Sequence, residues 1–256
     1  MMHDVETDII QRSGKRIFTR ITLPSAPRAI SVLIHGLGGT SNQSHLREIE
    51  ETLSQQQIIT ITFDARHTCG KSEGEFSSAT ATHLLQDLED VIADMTQREW
   101  WNASLPLVLV GHSLGGLVAL LYARTHTSVA GVVLIAPALS WRFSFSGFLL
   151  RSIPWLIRGY TMIDIHGVPQ RLNRTFLIDY FRHSGFRDAE ALKIPVSIIS
   201  GGEDKTVSAF AHRRLHAVLP KSTLSIIPSA RHNFGGYEKE LAKKVLSEIE
   251  RRILSI

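Results

Sequence analysis

The segment "PLVLVGHSLGGLVALLYA", from Pro106 to Ala123, constrains the fold more than any other part of the chain. An apolar run typical of a β-strand ends at a glycine, and an apolar run typical of a helix begins directly after Ser113. Because both runs are apolar throughout, they indicate a strand buried in a sheet and a helix packed against it. Ser113 then stands on the tight turn between them. Glycines flank it where two chain segments approach too closely for a Cβ atom.

The same strand character recurs along the chain. It appears in the short apolar runs "AISVLI", "IITITF", "AGVVLI", "PVSIIS" and "STLSII". Helix-like segments lie between these runs, most clearly from Leu84 to Met95 and in the C-terminal "YEKELAKKVLSEIERRIL", where apolar residues recur with helical spacing. This alternation predicts an α/β fold with a mostly parallel central sheet flanked by helices. The alternating "KRIFTRITL" predicts an antiparallel strand at the sheet edge.

The stretch 138–190 breaks this pattern, because it offers no clean strand and no acidic residue occurs between Glu99 and Asp164. A loop of that length without structure would be unusual inside a compact domain. We therefore predict a core formed by 1–137 and 191–256, with 138–190 inserted as a small helical cap. Its side chains would either line an apolar, basic pocket or pack the cap onto the core: Trp141, Phe143, Phe145, Phe148, Trp155, Tyr160, Arg142, Arg151 and Arg158.

Charge and cysteine content exclude several classes of protein. The formal net charge of the 256 residues is only +4, and Lys and Arg are scattered, which argues against nucleic-acid binding. The one cysteine, Cys69, has no partner for an internal disulfide, and the acidic N-terminus does not resemble a signal peptide. No apolar run is long enough to span a bilayer. We expect a cytoplasmic protein without a transmembrane segment.

The pattern G-x-S-x-G occurs twice, around Ser113 and around Ser72. A nucleophilic serine needs a strand running directly into the turn and a helix leaving it, which only the Ser113 context provides. Gly70-Lys71-Ser72 also loosely matches a phosphate-binding loop. Ala65 replaces the first glycine of that motif, however, and Glu73 and Glu75 would repel an anion. The second site is therefore interpreted as a surface loop.

A serine hydroxyl becomes a good nucleophile only when a base removes its proton and an acid orients that base. His232 follows the last strand-like run and Asp204 follows the one before it, in the chain order Ser, Asp, His. Glu203 is the alternative acid. His212 and His216, four residues apart on a helical segment, are interpreted as solvated histidines. The remaining acidic candidates lie in the inserted stretch, away from a strand end: Asp164, Asp179 and Asp188.

Backbone N–H groups that bind a developing oxyanion are expected in two places. Leu114 follows the nucleophile at a helix N-terminus, and Leu37 lies in "HGLGG" directly after an early buried strand. His35, in the same loop, is interpreted as bracing the turn.

The motifs "HGLGG", "GHSLGG", "GGEDKTV" and "ARHNF", in this order, resemble the α/β-hydrolase superfamily over nearly the whole chain. They are most similar to the branch containing monoacylglycerol lipases, lysophospholipases and feruloyl esterases, in which a helical cap follows the sixth strand. One segment departs from that branch: "DARHTCGKS" is one residue longer than D-x-R-G-x-G-x-S and lacks its first glycine. The loop around Cys69 is therefore expected to differ in shape.

The resemblance implies a carboxylic-ester hydrolase with Ser113 as nucleophile, His232 as base and Asp204 as acid, and with no metal or organic cofactor. Short-to-medium acyl or aryl esters are the first choice of substrate. Lipid esters of the monoacylglycerol type are the alternative, with the cap touching a lipid surface transiently. An acyltransferase and a non-catalytic ligand-binding protein are further alternatives.

Overall fold

The computed structural model describes residues 3–10, 14–140, 148–165, 167–187 and 189–254. Its strands are β1 (His3–Ile10), β2 (Arg16–Leu23), β3 (Ala29–Ile34), β4 (Ile58–Phe63), β5 (Leu107–His112), β6 (Val129–Ile135), β7 (Tyr160–Ile165), β8 (Val168–Asn173), β9 (Val196–Gly201) and β10 (Ser222–Ile227). Its helices are α1 (Ser44–Gln55), α2 (Ala81–Met95), α3 (Leu114–Thr125), α4 (Phe148–Arg158), α5 (Arg174–Arg182), α6 (Ala209–Val218) and α7 (Glu238–Ile249), followed by a π-helical turn (Glu250–Leu254).

Within these residues, the strands form an eight-stranded sheet in the order β1-β2-β4-β3-β5-β6-β9-β10. The pairs β1–β2 and β2–β4 are antiparallel, and the remaining neighbours are parallel. In parallel neighbours the carboxyl ends meet at one edge of the sheet. The residues that follow β3, β5, β9 and β10 are thereby gathered at that edge.

Apolar side chains fill both faces of the sheet. On one face, helices α1 and α7 pack through Leu53 and Val245 against sheet residues such as Val110. On the other face, helices α2, α3 and α6 pack in a larger cluster that includes Leu88 and Leu117. The central strands are covered on both sides, which accounts for their continuous apolar sequences. The predicted mostly parallel sheet flanked by helices is confirmed.

The start of the chain differs from the sequence prediction. The antiparallel strand predicted from "KRIFTRITL" exists as β2, but it is not the sheet edge, because β1 pairs with it along its whole length. The interior of β2 is accordingly buried. The strand β1 was not predicted from the sequence.

The segment between β6 and β9 contains the helices α4 and α5 and also an antiparallel hairpin formed by β7 and β8. The hairpin was not predicted, because residues of β7 alternate between exposed and partly exposed and form no apolar run. Trp155 stacks on Phe176 with ring centroids 5.9 Å apart, and both are buried, so Trp155 packs the insertion. Tyr160 is partly exposed.

Several predicted residues lie outside the described part of the chain, namely Trp141, Arg142, Phe143, Phe145 and Asp188. Of Phe148 and Arg151 only the backbone is described. Among the described helices, none combines the length and apolar character needed to cross a bilayer.

Candidate active site

Ser113 stands at the junction of β5 and α3 with a backbone φ of 53° and ψ of −116°. A positive φ is unfavourable for any residue with a Cβ, so the turn is strained. The flanking glycines are required by close approach. A Cβ on Gly111 would collide with the carbonyl group of Gly115, and one on Gly115 would collide with the backbone of Ile34 and His35. The turn places the partly exposed Ser113 at the carboxyl edge of the sheet.

Two consecutive hydrogen bonds join Ser113, through His232, to Asp204. The Oγ of Ser113 lies 3.0 Å from Nε2 of His232, and Nδ1 of His232 lies 2.8 Å from Oδ2 of Asp204. A carboxylate can only accept, so Nδ1 carries the hydrogen and Nε2 is left to accept from the serine hydroxyl. The structure thus brings together the three residues that the sequence analysis selected from separate loops.

Asp204 is held as a carboxylate. Its side chain is fully buried, and burial raises the pKa of the carboxyl group. The hydrogen bond from His232 and those from the amides of Thr206 and Val207 outweigh burial, so that the pKa of Asp204 lies below its ordinary value. A buried negative charge is therefore available to stabilise a positive charge on the imidazole.

The other acidic candidates bond elsewhere. The carboxylate of Glu203 is 56% exposed and lies 3.9 Å from Arg231 on the surface. Asp164 accepts the N–H of Gly167 in the β7–β8 turn, and Asp179 accepts two hydrogen bonds from Thr82.

The loop after β3 lies directly against Ser113. A Cβ added to Gly36 would be 3.0 Å from the Cβ of Ser113, so the following residue, Leu37, is close to the serine. Leu114 is the first residue of α3, where the N–H has no partner one turn earlier in the helix. Leu37 thus follows a residue that lies against Ser113, and Leu114 follows Ser113 directly; their role as oxyanion donors stays a prediction.

The segment after β4 anchors both ends of this loop. His35 contacts the carbonyl oxygen of Gly36 through Nδ1 at 2.8 Å, and its Nε2 accepts the N–H of Ala65 at 2.9 Å. At the other end, the N–H of Ser41 donates to Asp64 at 2.7 Å. These contacts agree with the bracing role expected for His35.

The second G-x-S-x-G serine is part of this anchoring segment. Ser72 accepts the N–H of Phe18 at 2.8 Å, and its hydroxyl donates to the carbonyl of Asp64. The carboxylate of Asp64 also accepts the N–H of Lys71 at 2.8 Å. The polar contacts of Ser72 therefore fasten the loop to β2 and to the end of β4, and within the described part of the chain they include no histidine. Cys69, in the same loop, is exposed.

One histidine was interpreted wrongly from the sequence. His212 is fully buried, with Nδ1 2.8 Å from Oγ of Ser200 and Nε2 3.2 Å from the carbonyl oxygen of Pro137. Burial lowers the pKa of His212 to about 4, so the ring is neutral near pH 7. His216, in contrast, is exposed as predicted.

Residues 25–180, more than half of the chain, match the family described as serine aminopeptidase, S33. The chain belongs to this family. That family is one of hydrolases, and the resemblance to the serine esterase and lipase branch of the α/β-hydrolases is confirmed. The matched segment contains Ser113 and Leu37, whereas Asp204 and His232 lie beyond its end.

Among curated proteins, this S33-family chain is 30% identical to human monoglyceride lipase over 132 residues. That segment is 50% of this chain and 42% of the human protein. The rat monoglyceride lipase is 27% identical over 136 residues, with the same coverage. The chain thus spans less than half the length of these relatives.

Solved structures show the fold over nearly the whole chain. Est1E from Butyrivibrio proteoclasticus, with ferulic acid bound, superposes with a TM-score of 0.76 and 19% identity, covering 95% of this chain and 99% of its own. The α/β-hydrolase GrgF from Penicillium sp. sh18 superposes with a TM-score of 0.81 and 16% identity, covering 99% of both chains. These likenesses confirm the α/β-hydrolase fold class.

Proposed function

We propose that the protein is a serine carboxylic-ester hydrolase that works through Ser113, His232 and Asp204. The observation that carries this proposal is the continuous pair of hydrogen bonds linking the three side chains at a strained strand–helix turn. A serine with a hydrogen-bonded base and an oriented acid is the arrangement that acyl transfer requires.

In the proposed reaction, Oγ of Ser113 attacks the ester carbonyl carbon while Nε2 of His232 takes the hydroxyl proton. The carbonyl oxygen becomes an oxyanion, which the N–H groups of Leu37 and Leu114 bind. The carbon–oxygen bond to the alcohol then breaks, and His232 gives its proton to the leaving oxygen. Water repeats the sequence on the acyl-enzyme and releases the acid. The carboxylate of Asp204 stabilises the imidazolium in both steps, and no cofactor takes part.

The substrate class is proposed from the insertion, which we infer acts as a cap formed by 138–190 over the carboxyl edge of the sheet. Ile165 of β7 lies against Gly38 in the loop next to Ser113, so apolar side chains of the insertion come close to the reacting centre. We propose short-to-medium acyl or aryl esters as the substrates of this site.

Lipid esters are the second candidate. Several apolar side chains of α4 and the hairpin are exposed, among them Ile157 at 79% and Met162 and Val168 at 53% each. The neighbouring Arg158 is also exposed, which would favour transient contact with an anionic lipid surface. The similarity to monoglyceride lipases points in the same direction.

The proposal is tested with a fluorophosphonate probe and a p-nitrophenyl ester series of increasing chain length. We expect the wild-type protein to be labelled and to hydrolyse esters, and Ser113→Ala to do neither. Ser72→Ala is the matched control, since it removes the other G-x-S-x-G hydroxyl and should leave labelling intact. Labelling of Ser113→Ala equal to wild type would exclude Ser113 as the nucleophile.

The acid and the substrate are tested in the same assays. We expect Asp204→Asn to lower kcat by about 10⁴-fold and Glu203→Gln to leave it nearly unchanged. The reverse result would assign the acid to Glu203. Feruloyl esters and a monoacylglycerol, tested beside the chain-length series, distinguish aryl from lipid substrates. Faster turnover on addition of an alcohol acceptor would indicate an acyltransferase instead.

A further inference from the structure

Three imidazole rings form a row behind Ser113. His45 of α1 meets His112, the last residue of β5, edge to face with ring centroids 4.5 Å apart. His112 in turn lies 5.0 Å from the ring of His232. His45 and His112 are both buried, and neither takes part in the reaction proposed above.

The ring of His112 makes one hydrogen bond to the loop that bears the base. Its Nε2 lies 3.0 Å from the backbone carbonyl oxygen of His232. A carbonyl oxygen only accepts, so Nε2 of His112 carries the hydrogen and Nδ1 holds the lone pair. Nδ1 is buried and has no hydrogen-bond partner among the described atoms, and a Cβ added to Gly36 would lie 3.5 Å from it.

We propose that His112 is a positioning residue for the reaction: its Nε2–H holds the carbonyl of His232 and so sets where that imidazole stands between Ser113 and Asp204. This inference rests on the proposed function. His112 directly precedes the nucleophile on β5, while His232 lies on the loop after β10. The hydrogen bond thus connects the base loop to the strand that carries the serine.

The charge state of the row supports this role. Burial, followed by the neighbouring rings of His45 and His232, lowers the pKa of His112 well below its ordinary value. Burial likewise lowers the pKa of His45 to about 4. Both rings are therefore neutral near pH 7, and neither opposes the positive charge that His232 acquires when it takes the serine proton.

The test compares substitutions that keep or remove the donor. In His112→Gln, the amide nitrogen is as many bonds from Cα as Nε2 of histidine, so a donor remains within reach of the carbonyl. His112→Met has a similar length without a donor, and His112→Phe keeps a ring without one. A small displacement of a catalytic group can cost about 100-fold in rate. We expect the Met and Phe variants to lose about 10- to 100-fold in kcat with little change in KM, and Gln to restore most of the loss.

His45→Met is the matched control, because it alters the same row without touching the bond to His232. We expect it to keep kcat within about threefold of wild type, since a side chain outside the bond does not place the base. Urea denaturation of each variant identifies any that fail to fold. If either His112→Met or His112→Phe fails to fold, the other serves as the variant without a donor. An equal loss in Gln and Met, or an equal loss in His45→Met, would show that packing and not the hydrogen bond is responsible.

Failure of this inference is distinguishable from failure of the proposed function. If the wild-type protein hydrolyses esters and is labelled at Ser113, but His112→Met keeps the wild-type kcat, only the positioning role is refuted. If the wild-type protein is not labelled and hydrolyses no ester, the proposed function itself is refuted, and the positioning role with it.

Discussion

Asp179 joins the insertion to the core of the protein. The residue lies on α5, and its carboxylate accepts the N–H of Thr82 at 3.0 Å and the Thr82 hydroxyl at 2.5 Å. Thr82 is in the first turn of α2, where unpaired N–H groups and the helix dipole favour a negative charge. His183, the residue directly after α5, lies 2.9 Å from the Thr82 hydroxyl and 3.7 Å from the carboxylate. Removal of the charge on Asp179 should therefore weaken the attachment of the insertion.

The contribution of the Asp179 charge to the free energy of unfolding follows from the pKa of its carboxyl group. Burial raises the pKa of the Asp179 carboxyl group, but the bonds from His183 and Thr82 outweigh it and lower the pKa from 3.8 to about 2. That difference corresponds to about 2 kcal/mol of folding free energy. Because the pKa is lower in the folded state, the contribution is fully present above about pH 5, where both states are ionised. It is lost as the pH falls through 3.8 toward 2.

The assay is urea denaturation of Asp179→Asn at pH 7 and pH 3. We expect a loss of about 2 kcal/mol in the free energy of unfolding at pH 7 and a smaller loss at pH 3. A double-mutant cycle with Thr82→Val measures the coupling between the two side chains. Glu190→Gln, which removes an exposed charge at the end of the insertion, should change stability by less than about 0.5 kcal/mol. Unchanged stability of Asp179→Asn at pH 7, or equal losses at the two pH values, would refute the reasoning.

Three further outcomes are expected. Gly115→Ala places a Cβ against backbone carbonyls at the end of β3, so fluorophosphonate labelling should slow by about 100-fold or more. Ile165→Ala removes an apolar side chain next to Gly38. The ratio of kcat/KM for a longer p-nitrophenyl ester to that for a shorter one should therefore rise by about tenfold. Cys69→Ser should retain full activity, as measured by ester hydrolysis, because the exposed thiol lies in a loop whose polar contacts are structural.

The sequence could predict the central sheet because its strands are buried on both faces. "AISVLI" and "IITITF" coincide with β3 and β4, since every residue in them is buried and the runs are mostly apolar, with Ser31, Thr60 and Thr62 as the polar members. The strands β1, β7 and β8 lack such runs. Their formation depends on pairing with a partner strand, which a local sequence pattern does not show.

The histidines differ in how much of their role could be predicted from the sequence. His232 could be selected because the end of a strand places it at the carboxyl edge of the sheet. His212 could not be assigned correctly, because its partners are Ser200 in β9 and Pro137 in the loop after β6, and nothing in a helical pattern identifies them. His112 is part of the G-H-S motif and is therefore visible in the sequence. Its proposed role depends on a hydrogen bond to the carbonyl of His232, which lies far away in the sequence.

Family similarity and geometry cover different parts of the proposed site. The matched segment, residues 25–180, includes the proposed nucleophile and the proposed oxyanion loop, but the proposed acid and base lie after it. These two residues reach Ser113 only because β9 and β10 are parallel to β6 and β5 and end at the same edge of the sheet. Loss of labelling in Ser113→Ala would therefore test a residue that similarity already favours. Loss of turnover in Asp204→Asn would test the part of the site that depends on the contacts at the carboxyl edge, so it is the more demanding experiment.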